Sequence, residues 1–183
     1  MPVDKHVIDT NVLLVASAAH AMSPFAPDAT PVEEATLRQK VLDWLIAFED
    51  SDRQMVLDWH WVIVDEYRGV GRRDKLTDQD YGLQVVLQKF STGQTFGFTL
   101  NWIVPDGAEI VHAALDLVIT DHADRKMVAG VLAAGGRTGG CTLVNSCDTD
   151  WYDWQPALED ADVFVDQLIP EWCHPKWMAK KAR

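Results

Sequence analysis

The side chains best suited to chemistry in this chain are acids placed where elements begin or end. Asp9 lies just past an apolar run, in Val7-Ile8-Asp9-Thr10-Asn11, and Asp148 just past another, in Val144-Asn145-Ser146-Cys147-Asp148. Glu66 has Val62, Ile63 and Val70 at helical spacing around it, and Asp121 and Asp124 open a further helix. Each acid also has an ordinary explanation. Asp9 and Asp148 suit the N-caps of the helices that follow, and taken singly capping is the better reading of each. Glu66 divides evenly between two roles. One is a desolvated carboxylate that needs a cation; the other is a stripe-edge acid that reaches water or pairs with Arg68 or Arg73. Asp124 is either a cap favoured by the helix dipole, with Asp121 in solvent, or an acid aimed at a shared crevice.

Together these residues say more. Asp9, Glu66, Asp124 and Asp148, on four elements at one edge of a sheet, can share a site only with a compensating cation. Hard oxygen ligands select Mg²⁺ or Mn²⁺, which serve phosphate substrates. One ion activates water and a second stabilises the leaving oxygen, so the implied chemistry is phosphodiester hydrolysis. Arg68, Arg72, Arg73 and Lys75 adjoin Glu66 and are expected to meet phosphates beside the cut. Their plainer role is a solvated basic helix end. Trp59, Trp61, Trp151 and Trp154 lie near the acids; packing is expected, with base stacking as the alternative.

The elements that must position these acids can be read from periodicity. Strands are expected at His6 to Ile8, Gln54 to Leu57, Trp102 to Val104, Cys141 to Val144 and Asp162 to Ile169. Helices are expected at Val12 to Ala19, Val32 to Phe48, Trp59 to Val70, Leu76 to Phe90, Asp124 to Ala134 and Trp151 to Leu158. Residues 23–31, with three prolines, read as a loop, and Ser91 to Phe98, rich in Gly and Thr, as a loop or hairpin. Alternating strands and helices predict an α/β fold with helices on both faces of a parallel sheet. In such sheets functional groups gather at the carboxyl ends of the strands.

The chain of 183 residues, 48% hydrophobic and 24% charged, has room for one packed domain spanning 1–183. Its basic tail, 175–183, is expected to be disordered and merely solubilising. No apolar run has the length of a membrane span, so a cytoplasmic location is expected. Cys141, Cys147 and Cys173 read as reduced thiols, and Cys173-His174 alone makes a weak metal site. The net charge of −12 disfavours attraction of a polyanion through the bulk field. A bound cation reverses that sign locally.

Four blocks, in order, resemble those of PIN-domain nucleases, a family that includes ribonuclease toxins of the VapC type. They are Val7-Ile8-Asp9-Thr10-Asn11-Val12-Leu13, Val62-Ile63-Val64-Asp65-Glu66-Tyr67-Arg68, His122-Ala123-Asp124-Arg125-Lys126-Met127-Val128-Ala129 and Val144-Asn145-Ser146-Cys147-Asp148-Thr149-Asp150-Trp151. The resemblance implies a three-layer α/β/α sandwich and a Mg²⁺- or Mn²⁺-dependent endoribonuclease. It makes Asp9, Glu66, Asp124 and Asp148 the metal-binding acids, Asp150 an accessory ligand and Asp121 a helper. Thr10, Asn11 or Ser146 would orient ligands or water. RNA is the implied substrate, and an antitoxin or other protein partner and a homodimer are in keeping with the family. Residues 23–31 and 91–117 are long for a minimal toxin. The rival readings are a catalytically silent PIN-like module and a haloacid-dehalogenase-type phosphatase. The latter needs a second aspartate where Asn11 stands.

Overall fold

The computed structural model describes residues 4–68, 76–104, 107–108 and 112–183. Arg72, Arg73 and Lys75, assigned above to substrate phosphates, lie outside the described residues.

The first strand, β1 (Lys5–Ile8), is buried on both sides from His6 onward, as a central parallel strand must be. It pairs in parallel with β2 (Gln54–Asp58) on one side and β6 (Cys141–Asn145) on the other. Outside these lie β3 (Thr95–Phe98) and β7 (Val165–Gln167), giving the parallel order β3-β2-β1-β6-β7. The short strands β4 (Trp102–Val104) and β5 (Gly107–Ala108) form a separate antiparallel pair. Helices flank the sheet: α1 (Thr10–Ala19), α2 (Ala35–Glu49), α3 (Val62–Tyr67), α4 (Tyr81–Ser91), α5 (Ala113–Asp116), α6 (His122–Ala133), α7 (Asp150–Asp160) and α8 (Pro170–Lys181). The fold is a three-layer α/β/α sandwich. Helix α6 packs against β1, β2 and β6, while α1 packs against α2 and α4.

Several boundaries differ from those expected, each for a local reason. Residues 95–98 are an edge strand, not a loop or hairpin. Gly97, which looks like a loop signal, is needed within the strand. A Cβ there would lie 2.2 Å from the Trp59 indole, which covers it. The helix expected over Trp59 to Val70 begins only at Val62. The buried carboxylate of Asp58 accepts hydrogen bonds from the N–H groups of His60, Val62 and Ile63 at 2.9–3.1 Å. Those bonds hold Trp61 in the left-handed region at φ 64° and delay the helix. The proline-rich stretch is mostly loop, with one 3₁₀ turn at Pro27–Ala29, and Ser23 ties it to the buried Asp80 at 2.7 Å.

The tail is the largest correction. The expectation of a disordered, solubilising end at 175–183 fails because α8 runs through to Lys181. Trp172 and Cys173 are buried, Lys180 pairs with Asp150, and Lys181 pairs with Asp153 at 2.8 Å. Tyr152 stacks on Trp177, whose indole N–H also donates to Asp153 at 2.6 Å. The tail's lysines therefore fasten α8 to α7.

Helices α1 and α4 approach closely at Gly82, whose N–H donates to the Ser17 hydroxyl at 2.9 Å. A Cβ on Gly82 would meet the Leu13 carbonyl oxygen at 2.7 Å and the Leu13 Cβ at 2.8 Å. Overpacking of this kind costs roughly 1–3 kcal/mol. Gly82→Ala should therefore lower the urea midpoint without changing the m-value, despite its better helix propensity. A stabilised variant would show that the two helices are free to part.

Candidate metal centre

The strand order reverses beside β1. From β1 the chain moves out through β2 and β3, then returns to the other side for β6 and β7. Such a switch point opens a crevice at the carboxyl ends of the two central strands. Asp9 follows β1 there, and its N–H donates to the Val144 carbonyl of β6 at 3.0 Å. Asp148 stands in the loop after β6, and Asp124 in the first turn of α6. One carboxylate oxygen from each of these three acids lies within 4.8 Å of the others.

Asp9 is both a cap and a member of this trio. Its Oδ1 accepts from the Asn11 N–H at 3.1 Å, and its Oδ2 from the Trp151 indole N–H at 2.7 Å. Trp151 is fully buried, so it orients Asp9 and cannot stack a base. Trp154 is buried as well, and Trp59 remains exposed. Asp124 is freed from capping because Asp121 does that work, accepting from the Ala123 N–H at 2.8 Å. Asp148 accepts from the Asp150 N–H at 2.8 Å, and its backbone is held by Asn145, whose side chain bonds both its N–H and its carbonyl. The Cys173 thiol of α8 donates to the same carbonyl at 3.3 Å. That contact, together with His174 packed edge-on against Tyr152, accounts for Cys173-His174 without a metal.

The loops that carry the acids are fastened to one another. The Asn11 Oδ1 accepts from the Ser146 N–H at 2.9 Å, the Ser146 hydroxyl at 2.6 Å and the Cys147 N–H at 3.3 Å. Ser146 is fully buried, and its bonds to Asn11 hold the loop after β6 to the end of β1. The Tyr67 hydroxyl, also buried, donates to the Ile8 carbonyl at 2.6 Å and clamps α3 to the end of β1.

Glu66 reaches this neighbourhood but is not one of the converging three. Its Oε1 accepts the Thr10 hydroxyl at 2.7 Å, and its Oε2 forms an ion pair with Lys126 of α6. Of the partners expected for it, Arg68 pairs with Asp78 at 3.2 Å, and Arg73 is outside the described residues. Asp150, the expected accessory ligand, is likewise outside the trio and faces Lys180. Lys126, and the contacts made by Trp151 and Tyr67, are the participants that the sequence did not disclose. A hollow of about 350 Å³ farther along α6, between Phe98, Leu100, Ala129 and Leu132, is lined by none of the acids.

Electrostatics set the state of the trio. Two like unit charges about 4 Å apart repel by about 4 kcal/mol in a partly screened protein site. Burial, then repulsion from Asp148, pushes the Asp9 carboxyl up to about 7. Burial, then the charges of Asp9 and Asp148, pushes Asp124 up to about 9. Asp148 is raised as well, chiefly by burial. Three such carboxylates stay together only by keeping protons or taking a cation. The donor set is all carboxylate oxygen, which suits a hard divalent ion.

Raised carboxyl groups make metal-free stability fall with pH. Below the unfolded value of 3.8 both states of the chain hold these protons. Above it the unfolded chain releases protons that the folded chain keeps. Each group then removes at most about 1.4 kcal/mol per pH unit. The loss from Asp9 ends near pH 7, and that from Asp124 near pH 9. Thermal melts in chelator should therefore drop across this window, and saturating Mn²⁺ should recover most at its alkaline end. Asp124→Asn should melt higher than the unsubstituted chain at alkaline pH without metal. A lower melting point for that variant would contradict the assigned repulsion.

Comparison with protein-family models, with curated proteins and with solved structures finds no match to this chain.

Proposed function

We propose that the chain is a divalent-metal-dependent nuclease that hydrolyses phosphodiester bonds, with RNA as its substrate and Mg²⁺ or Mn²⁺ held by Asp9, Asp124 and Asp148. The observation that carries this reading is the meeting of three carboxylates from three elements at the sheet's switch point. The ion would supply an activated water and charge neutralisation at the phosphate. Asp9, fixed by Trp151 and Asn11, presents its remaining lone pairs in a defined direction. Asp124 stands within the first turn of α6, where the positive end of the helix favours its charged form. Glu66, set by Thr10, places a further carboxylate beside the trio.

Nuclease chemistry, and RNA in particular, are supported by the four-block resemblance. The phosphatase alternative is weakened by Asn11, which stands at the position of its second aspartate and engages Ser146 and Cys147.

Mn²⁺-dependent cleavage of a labelled single-stranded RNA is the direct test. Asp9→Asn, Asp124→Asn and Asp148→Asn should each reduce cleavage by roughly 10²-fold or more, as loss of one charge-stabilising group does. Circular dichroism of each variant should match that of the unsubstituted chain. Undiminished cleavage in Asp9→Asn and Asp124→Asn would overturn the assignment. Metal binding without cleavage of RNA or DNA would leave a binding module in its place.

A further inference from the structure

Lys126 is a buried lysine beside a group of carboxylates, only 7% exposed. It lies two residues beyond Asp124 on α6, and its ammonium group pairs with Glu66 and donates to the Ala123 carbonyl at 2.6 Å. A lysine on a surface helix ordinarily extends its charge into water. Here the charge turns inward, toward a glutamate carried by a different element. The opposite Glu66 oxygen takes the Thr10 hydroxyl, so donors of the chain itself reach both oxygens of that carboxylate. Thr10 adjoins Asp9 and Lys126 lies two residues from Asp124, so these two contacts set Glu66 next to the segments that carry both aspartates.

A fourth carboxylate near the trio is the ligand on which a second divalent ion would draw. That carboxylate already faces the positive charge of Lys126. We propose that Lys126 is a resident counter-ion that limits the site to one divalent ion per chain. It neutralises Glu66, holds that side chain in place and removes the ligand on which a second ion would depend. This inference rests on the aspartate trio being a cation site, as proposed above. Lys126 is on this view a positioning residue that acts through Glu66.

The test is a count of bound Mn²⁺, by calorimetry and by loss of the free-ion paramagnetic resonance signal, on the full chain. The unsubstituted chain should bind one ion. Lys126→Met, which keeps the aliphatic stem and removes the charge, should bind two. Lys126→Gln, which keeps a donor for Glu66, should also bind two, and it serves should the methionine variant fail to fold. Lys126→Met combined with Glu66→Gln should return to one. Two ions on the unsubstituted chain would overturn the counter-ion role and leave the cation site standing, as would one ion on either folded single variant. No ion on the unsubstituted chain would overturn both.

Discussion

Repulsion among three half-buried or buried aspartates is the constraint around which this fold is arranged. Side chains that repel will separate unless their backbones cannot move. Each trio member is accordingly fixed from at least one direction outside the crevice. Trp151 reaches across from α7 to Asp9, Asn145 grips the Asp148 backbone, and Asp121 takes over the cap that Asp124 would otherwise supply. Such preorganisation is expected where charges must await a ligand rather than satisfy each other.

The same logic explains the polar groups buried around the switch point. A buried serine, asparagine or tyrosine costs stability unless bonded. The buried Ser146 donates to the half-buried Asn11 across the β1 and β6 loops, and Tyr67 finds the carbonyl that closes β1. Asp58 does similar service one strand away, accepting from the His60 N–H and from two amides that the start of α3 leaves open. These bonds make the loops behave as extensions of the sheet. Errors in the position of one acid are thereby passed to the others.

How much of this was legible depended on whether an interaction is local. The alternation of strands and helices and the strand-end positions of Asp9 and Asp148 follow from short-range patterns, and the sandwich follows from those. Capping and convergence were set against each other as explanations of Asp9. In the structure one carboxylate does both, because its two oxygens face different partners. The inward turn of Lys126 was not legible, since its spacing on α6 fits a solvent-facing lysine and only Glu66, 60 residues earlier, draws it in. Trp151 looked like a packing or stacking residue because its indole N–H finds Asp9 through tertiary contact alone. Gly97 reads as a loop signal for the same reason: a breaker in local statistics is tolerated within a strand where an indole needs the room.

The charge distribution also limits how a polyanion can approach. With a net charge of −12, the chain does not draw nucleic acid from a distance. Among the described residues, several basic side chains near the relevant edge are already matched: Lys126 to Glu66, Arg68 to Asp78, Lys180 to Asp150 and Lys181 to Asp153. Under the proposed reading, a divalent ion on three ionised aspartates still leaves one negative charge. Attraction for a phosphate would then act over a single coordination bond rather than over the protein's surface. Few counterions would be displaced on binding, so affinity should depend weakly on salt compared with a basic nuclease. Under the same reading metal should precede substrate, because the described groups that converge there are carboxylates.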